Sequence, residues 1–295
     1  MRPKMVWKNC LRAFPKSTIF HPRPMWNRSS PALIFALLLS SAMSRAHGPV
    51  SESIAALTAE LAREPNRAEL FLSRARFHAQ HEDWSAAHSD LDRVEILAPG
   101  LKTTALLRGE VFLMAADFKK ACAAFLKLTT VQPRLALAHD GLARTLVANG
   151  EFVEAAESFA RAIECSDQPT PVLYHNQSSA LEKAGKTADA LAALDAGIAC
   201  IGPLVSLVTP AIEMDLAAGR FDAAVARVDA LLASLPRRES WLVRRAEILE
   251  KAGRSTDARA TWEQARAAFA TLPEFRQSTL QMTQLRGRID AALAK

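Results

Sequence analysis

Residues 106–133 read LLRGEVFLMAADFKKACAAFLKLTTVQP, and this stretch decides the fold. Leu106, Gly109, Phe112 and Leu113 recur at helical spacing before Ala116-Asp117. Beyond that break, Phe118, Ala121, Phe125 and Leu128 form a second apolar stripe, which stops at Pro133. Two stripes of helical period separated by a short break describe two amphipathic helices in a hairpin. Gly109 and Ala121 are small, as a close helix crossing requires, and Phe118 and Phe125 fill the space beside them.

The same hairpin recurs along the chain. Prolines stand at Pro65, Pro99, Pro133, Pro169, Pro203, Pro236 and Pro273, with gaps of 34, 34, 36, 34, 33 and 37 residues. An alanine follows each midpoint, at Ala87, Ala121, Ala155, Ala190, Ala224 and Ala258, with gaps of 34, 34, 35, 34 and 34. Between proline and alanine lies a turn: Glu82-Asp83, Ala116-Asp117, Gly150-Glu151, Gly185-Lys186, Gly219-Arg220 or Gly253-Arg254. A fixed period of this length marks a stack of supersecondary units, each burying its neighbour's apolar face.

The pattern resembles the tetratricopeptide repeat family: a small residue in the middle of the first helix, a Gly-Asp-like turn, an aromatic, an alanine and a closing proline. The first unit carries it as Ala75, Glu82-Asp83, Trp84, Ala87, Leu91, Val94 and Pro99. The resemblance implies an all-α, right-handed solenoid of six helical pairs over residues 68–272, at about 68–101, 102–135, 136–170, 171–204, 205–238 and 239–272. Residues 47–67, with Ile54, Leu57 and Leu61 on one stripe, and 273–295, with Met282, Leu285, Ile289 and Ala292, read as capping helices. Solenoids need such caps because a terminal repeat lacks a neighbour. Thr187 and Ser255 replace the aromatic after the turn, and Pro210 predicts a bent or shortened helix in the fifth unit.

Residues 1–46 read as a secretory leader. Eight bases and no acid precede His47, Ala32–Leu39 is a continuous apolar run followed by Ser40-Ser41-Ala42, and Ser44-Arg45-Ala46 is a small-x-small cleavage site. Met25 offers a more compact start than Met1. The expected mature protein is exported, to the periplasm or the medium, and the eleven residues Ala32–Ala42 are too few for a spanning helix. The leader also explains the net charge of +6: without its eight bases, 29 basic residues face 31 acidic ones. That balance argues against a nucleic-acid partner.

No sequence feature points to catalysis: there is no Gly-x-Ser-x-Gly elbow, phosphate-binding glycine loop or His-Glu-x-x-His helix, and no cofactor is implied. His78, His81 and His88 lie close enough in sequence to suggest a metal cluster, but His78 takes the slot of Phe112 and Leu146, a core position, while His88 is expected on the outer side of its helix. A mature N-terminal His47 would join an α-amine to an imidazole, a chelate suited to copper or nickel, so a metal-binding accessory protein is the alternative function. Cys165 and Cys200 share one phase of consecutive repeats, which separates them by about a helix diameter, ~10 Å, too far for a disulfide. Asn176-Gln177-Ser178 is a glycosylation sequon inside an expected helix.

The resemblance implies that the first helix of each unit lines a concave groove that binds a protein or peptide. In this register the groove residues are Leu72, Arg76, Leu106, Glu110, Met114, Asp140, Arg144, His175, Asn176 and Arg244. Their charges are of both signs, and the apolar ones cluster in the first two units. Family members that clamp a terminal carboxylate use a lysine where Leu72, Leu106, Asp140 and His175 stand here, so that activity is not implied.

Overall fold

The structure, a computed structural model, describes residues 48–294. The leader, Met25, the Ala46 cleavage site and His47 lie outside them. The described residues form fifteen helices and no strand. In chain order they are α1 (Gly48–Arg63), α2 (Ala68–Gln80), α3 (Trp84–Leu97), α4 (Lys102–Met114), α5 (Phe118–Val131), α6 (Ala136–Asn149), α7 (Phe152–Glu164), α8 (Pro171–Lys183), α9 (Thr187–Ile201), α10 (Val205–Ala217), α11 (Phe221–Ser234), α12 (Glu239–Lys251), α13 (Ser255–Ala270), α14 (Glu274–Gln277) and α15 (Leu280–Leu293). This is the all-α solenoid class, with a helix pair in each sequence period. None of these helices is long and apolar enough to cross a membrane.

The chain divides into two compact units after Gly150. The first holds α1–α6. Around the α2/α3 crossing, Ala75 and Ala87 are fully buried with Leu91, Val94 and Val111. The next crossing turns on Phe125, whose ring lies between two glycines: a methyl added at Gly109 would sit 2.7 Å from it, and one at Gly141 2.3 Å. These glycines are present for closeness, since neither has an unusual backbone. The second unit holds α7–α15 and a continuous core that runs from Val208 and Ile212 through Trp262 to Leu285 and Ile289. Helix α15 packs on α13 and α12, covering the last hairpin.

Pro210 does not shorten its helix. Helix α10 runs unbroken through it and is 13 residues long, as are α2, α4, α8 and α12. The proline removes one donor, but Leu207, Val208, Ala211 and Ile212 around it are all buried, and this packing holds the helix together.

The six turns use two different solutions. Gly150 closes α6 with φ of +82°, and Gly185, Gly219 and Gly253 take the same left-handed conformation. In the first two hairpins Glu82 and Ala116 occupy that position, at φ +62° and +56°. A side chain in this region is strained by about 1–2 kcal/mol. The next residue compensates: Asp83 accepts the Ala86 N–H at 3.0 Å and Asp117 accepts that of Lys120 at 3.2 Å, each capping the second helix. Glu151, Lys186, Arg220 and Arg254, which follow the glycines, make no such bond. Glu82→Gly and Ala116→Gly are each expected to raise stability by about 0.5–1 kcal/mol, measured as a rise in urea midpoint.

His88 departs from expectation. It does not face solvent but lies half-buried against Phe112, ring centroids 4.4 Å apart, with Nδ1 buried and unpartnered. Burial first, then the charges of Arg108 and Lys120, depress its pKa below the ordinary histidine range, against the weaker pull of Asp92 and Asp117. The folded state therefore takes up a proton less readily than the unfolded chain. Stability is expected to fall as pH drops below about 6.5, and His88→Leu should flatten that part of a melting-temperature profile. An unchanged slope would assign the acid sensitivity to other groups.

Candidate partner-binding surface

In the first unit, successive first helices touch one another, α2 on α4 and α4 on α6. Their shared side carries most of the expected groove residues. Leu72 is the exception and a correction: it is only 8% exposed and belongs to the core with Ala75 and Leu91, so it offers nothing to a partner. Leu106 is half-buried. Met114 is 50% exposed, and Leu137 on α6, which the sequence reading passed over, is 62% exposed.

The charged residues pair with each other. Arg144 Nε donates to Asp140 at 3.0 Å, one turn earlier on α6, and its Nη2 donates to Glu110 on α4. Burial alone would lower the pKa of this guanidinium, but the bonds and charge of Glu110 and Asp140 raise it instead. Glu110 is therefore engaged and not an orienting charge for a ligand. Arg76, exposed on α2, makes no ion pair among the described residues.

The second unit repeats the device. Arg244 of α12 pairs with Glu213 of α10, and Arg288 of α15 pairs with Glu247 of α12. The last pair escaped the sequence reading because its members lie 41 residues apart, outside the repeat period. In each case an acid on one first helix meets an arginine on the following first helix or on the cap. His175 is exposed and Asn176 half-buried on α8. Lys183, at the end of that helix, lies 5.6 Å over the Phe152 ring.

A further set of arginines ties first helices to second helices. Arg74 forks onto Asp90 of its own hairpin at 2.9 and 2.7 Å and donates to Thr58 of the cap. Arg108 meets Asp92, and Arg245 meets both Asp229 and Thr261. These three arginines occupy one position of the repeat, and their role is structural. Cys122, Cys165 and Cys200 form no disulfide among the described residues. Burial first, and then the Cys200 thiol beside it, push the Tyr174 hydroxyl up to about 12.

A family model described as tetratricopeptide repeat matches residues 106–169 and 215–273. Among solved structures, the C-terminal part of a TPR repeat-containing protein from Cytophaga hutchinsonii is 10% identical, covers 80% of this chain and 96% of its own, and superposes with a TM-score of 0.57. A tetratricopeptide repeat protein from Parabacteroides merdae is 20% identical over 74% of this chain and 84% of its own, with a TM-score of 0.45. A thermophilic TPR protein from Thermus thermophilus is 18% identical over 62% of this chain and 99% of its own, with a TM-score of 0.41. No curated protein matches the chain. The chain thus carries tetratricopeptide repeats over residues 106–169 and 215–273, and the period and the helix pairs continue the same hairpin on either side of them, an arrangement that supports a protein-interaction scaffold.

Proposed function

We propose that the protein is an exported, non-enzymatic scaffold that holds a protein or peptide partner on the first-helix face of its hairpins. The observation that carries this reading is the composition of that face in the first unit. Met114 and Leu137 are exposed apolar side chains, the neighbouring acids are neutralised by Arg144, and Arg76 keeps an uncommitted charge. An apolar anchor beside one free charge favours a partner segment with an apolar side chain near an acidic one, and a few such contacts dominate binding energy.

The partner is to be identified by crosslinking in the native host and then titrated against purified variants. Arg76→Glu with Met114→Glu is expected to weaken binding by about 2 kcal/mol, roughly thirtyfold, with helicity unchanged. Arg161→Glu with Arg259→Glu is the matched control on second helices, where both arginines pair only within their own helix. Arg227 would be a poor control because it holds a buried carboxylate. Equal losses from the two pairs would move the binding site elsewhere. For export, protein from the native host is expected to begin at His47, and a chain retaining Arg28 would refute it.

A further inference from the structure

A cavity of about 460 Å³ opens where the last turns of α3 and α5 meet the first turn of α4. It uses Ala105 and Arg108 of α4, which lie off the stripe of Leu106, Glu110 and Met114, and meets the surface proposed above only at Lys102, the N-terminal end of that stripe. Its walls are aliphatic: Leu101, Ala105, Leu128 and Val131, with Val131 68% exposed at the mouth. Such a volume is in the range of small-molecule sites.

The charges around it are sorted. Glu95 accepts the Gly100 N–H at 3.1 Å, holding the loop, and keeps its negative charge at the α3 side of the cavity. Arg108 is taken by Asp92 at 2.8 Å. That leaves Lys102 and Lys127, neither of which makes an ion pair among the described residues. The first turn of α4 adds a positive helix end, with no acidic residue and no side-chain cap. Gln132 also lines the cavity, and its Oε1 is buried without a hydrogen-bond partner. An aliphatic wall and two lysines that make no ion pair among the described residues together fit a ligand with a hydrocarbon body and an anionic head.

We propose that this cavity binds a free aliphatic carboxylate of about ten carbons, its chain against Leu101, Ala105, Leu128 and Val131 and its head between Lys102 and Lys127. The probe is decanoate below its micellar concentration, followed by equilibrium dialysis against the full chain. Saturable 1:1 binding is expected, with decanol at least tenfold weaker because it lacks the charge. Lys102→Glu with Lys127→Glu should weaken decanoate at least tenfold. Ala105→Trp should fill the cavity and abolish binding; Val131→Asp, at an exposed position, provides a second block should the tryptophan disturb folding. Arg76→Glu should change nothing, which separates this site from the partner-binding face. Non-saturable uptake, equal binding of decanol, or insensitivity to both Val131→Asp and the double lysine change would overturn the proposal. So would a leucine-terminated peptide that displaces decanoate while binding far more tightly, since that would assign the cavity to a peptide end.

Discussion

Phe125→Ala is expected to destabilise the first unit by about 3–5 kcal/mol. The ring is fully buried, and the two nearest backbones are glycines whose missing side chains leave room for it alone. Removing it opens a cavity that neither glycine can fill. The reciprocal change is informative. Gly141→Ala would gain about 1 kcal/mol of helix propensity on an exposed helix, yet here its methyl would sit 2.3 Å from the ring. A net loss of about 1–3 kcal/mol is expected. Combining Gly141→Ala with Phe125→Leu should recover part of it, because contacting sites are not additive. Urea titration of the four proteins, read by circular dichroism, measures the coupling. Additive losses would mean that Phe125 and Gly141 do not share one space.

Asp215→Ala carries the second large effect. Asp215 is 1% exposed and accepts from Arg220 Nε at 2.8 Å and from Arg227 Nε at 2.6 Å, while Arg227 also reaches Asp195. Burial alone would lower the Arg227 pKa, and its bonds to Asp195 and Asp215 raise it. Removing the carboxylate leaves a largely buried guanidinium with Asp195 as its one remaining acid, at a cost of about 3 kcal/mol. The fourth hairpin shows a remedy: at the two matching positions it carries Leu181 and Ala193. Asp215→Leu with Arg227→Ala should therefore regain most of the loss, since an apolar pair of matched shape often replaces a buried ion pair without penalty. A double variant no better than Asp215→Ala would show that Arg220 and Asp195 matter more than the buried pair.

The periodic part of this protein was readable from its sequence because repetition averages out local noise. Ala87, Ala121 and Ala258 are buried where three coincident phases put them. The departures came from side chains whose neighbours lie off that period. Leu72 sits on a groove phase but is drawn into the core. Asp215 fills a slot that holds Phe112 or Leu146 in other hairpins, and only the arginine on the facing helix makes that tolerable. The pairing of Arg144 with Glu110 follows the repeat exactly one period apart, yet sign alone did not reveal that the two charges cancel. The cavity beside Lys102 was invisible for a related reason: its wall combines helix ends from two hairpins, while periodicity describes helix middles.

The two kinds of turn bear on how this chain tolerates change over generations. Each joint carries either a left-handed glycine or an aspartate cap, and none of the six carries both. Because each device acts within about one helical turn, losing one loosens a single hairpin, and the neighbouring joints keep theirs. Mutational drift at one joint is thus insulated from the next, and an alternative arrangement can be acquired one residue at a time without an unfolded intermediate along the way.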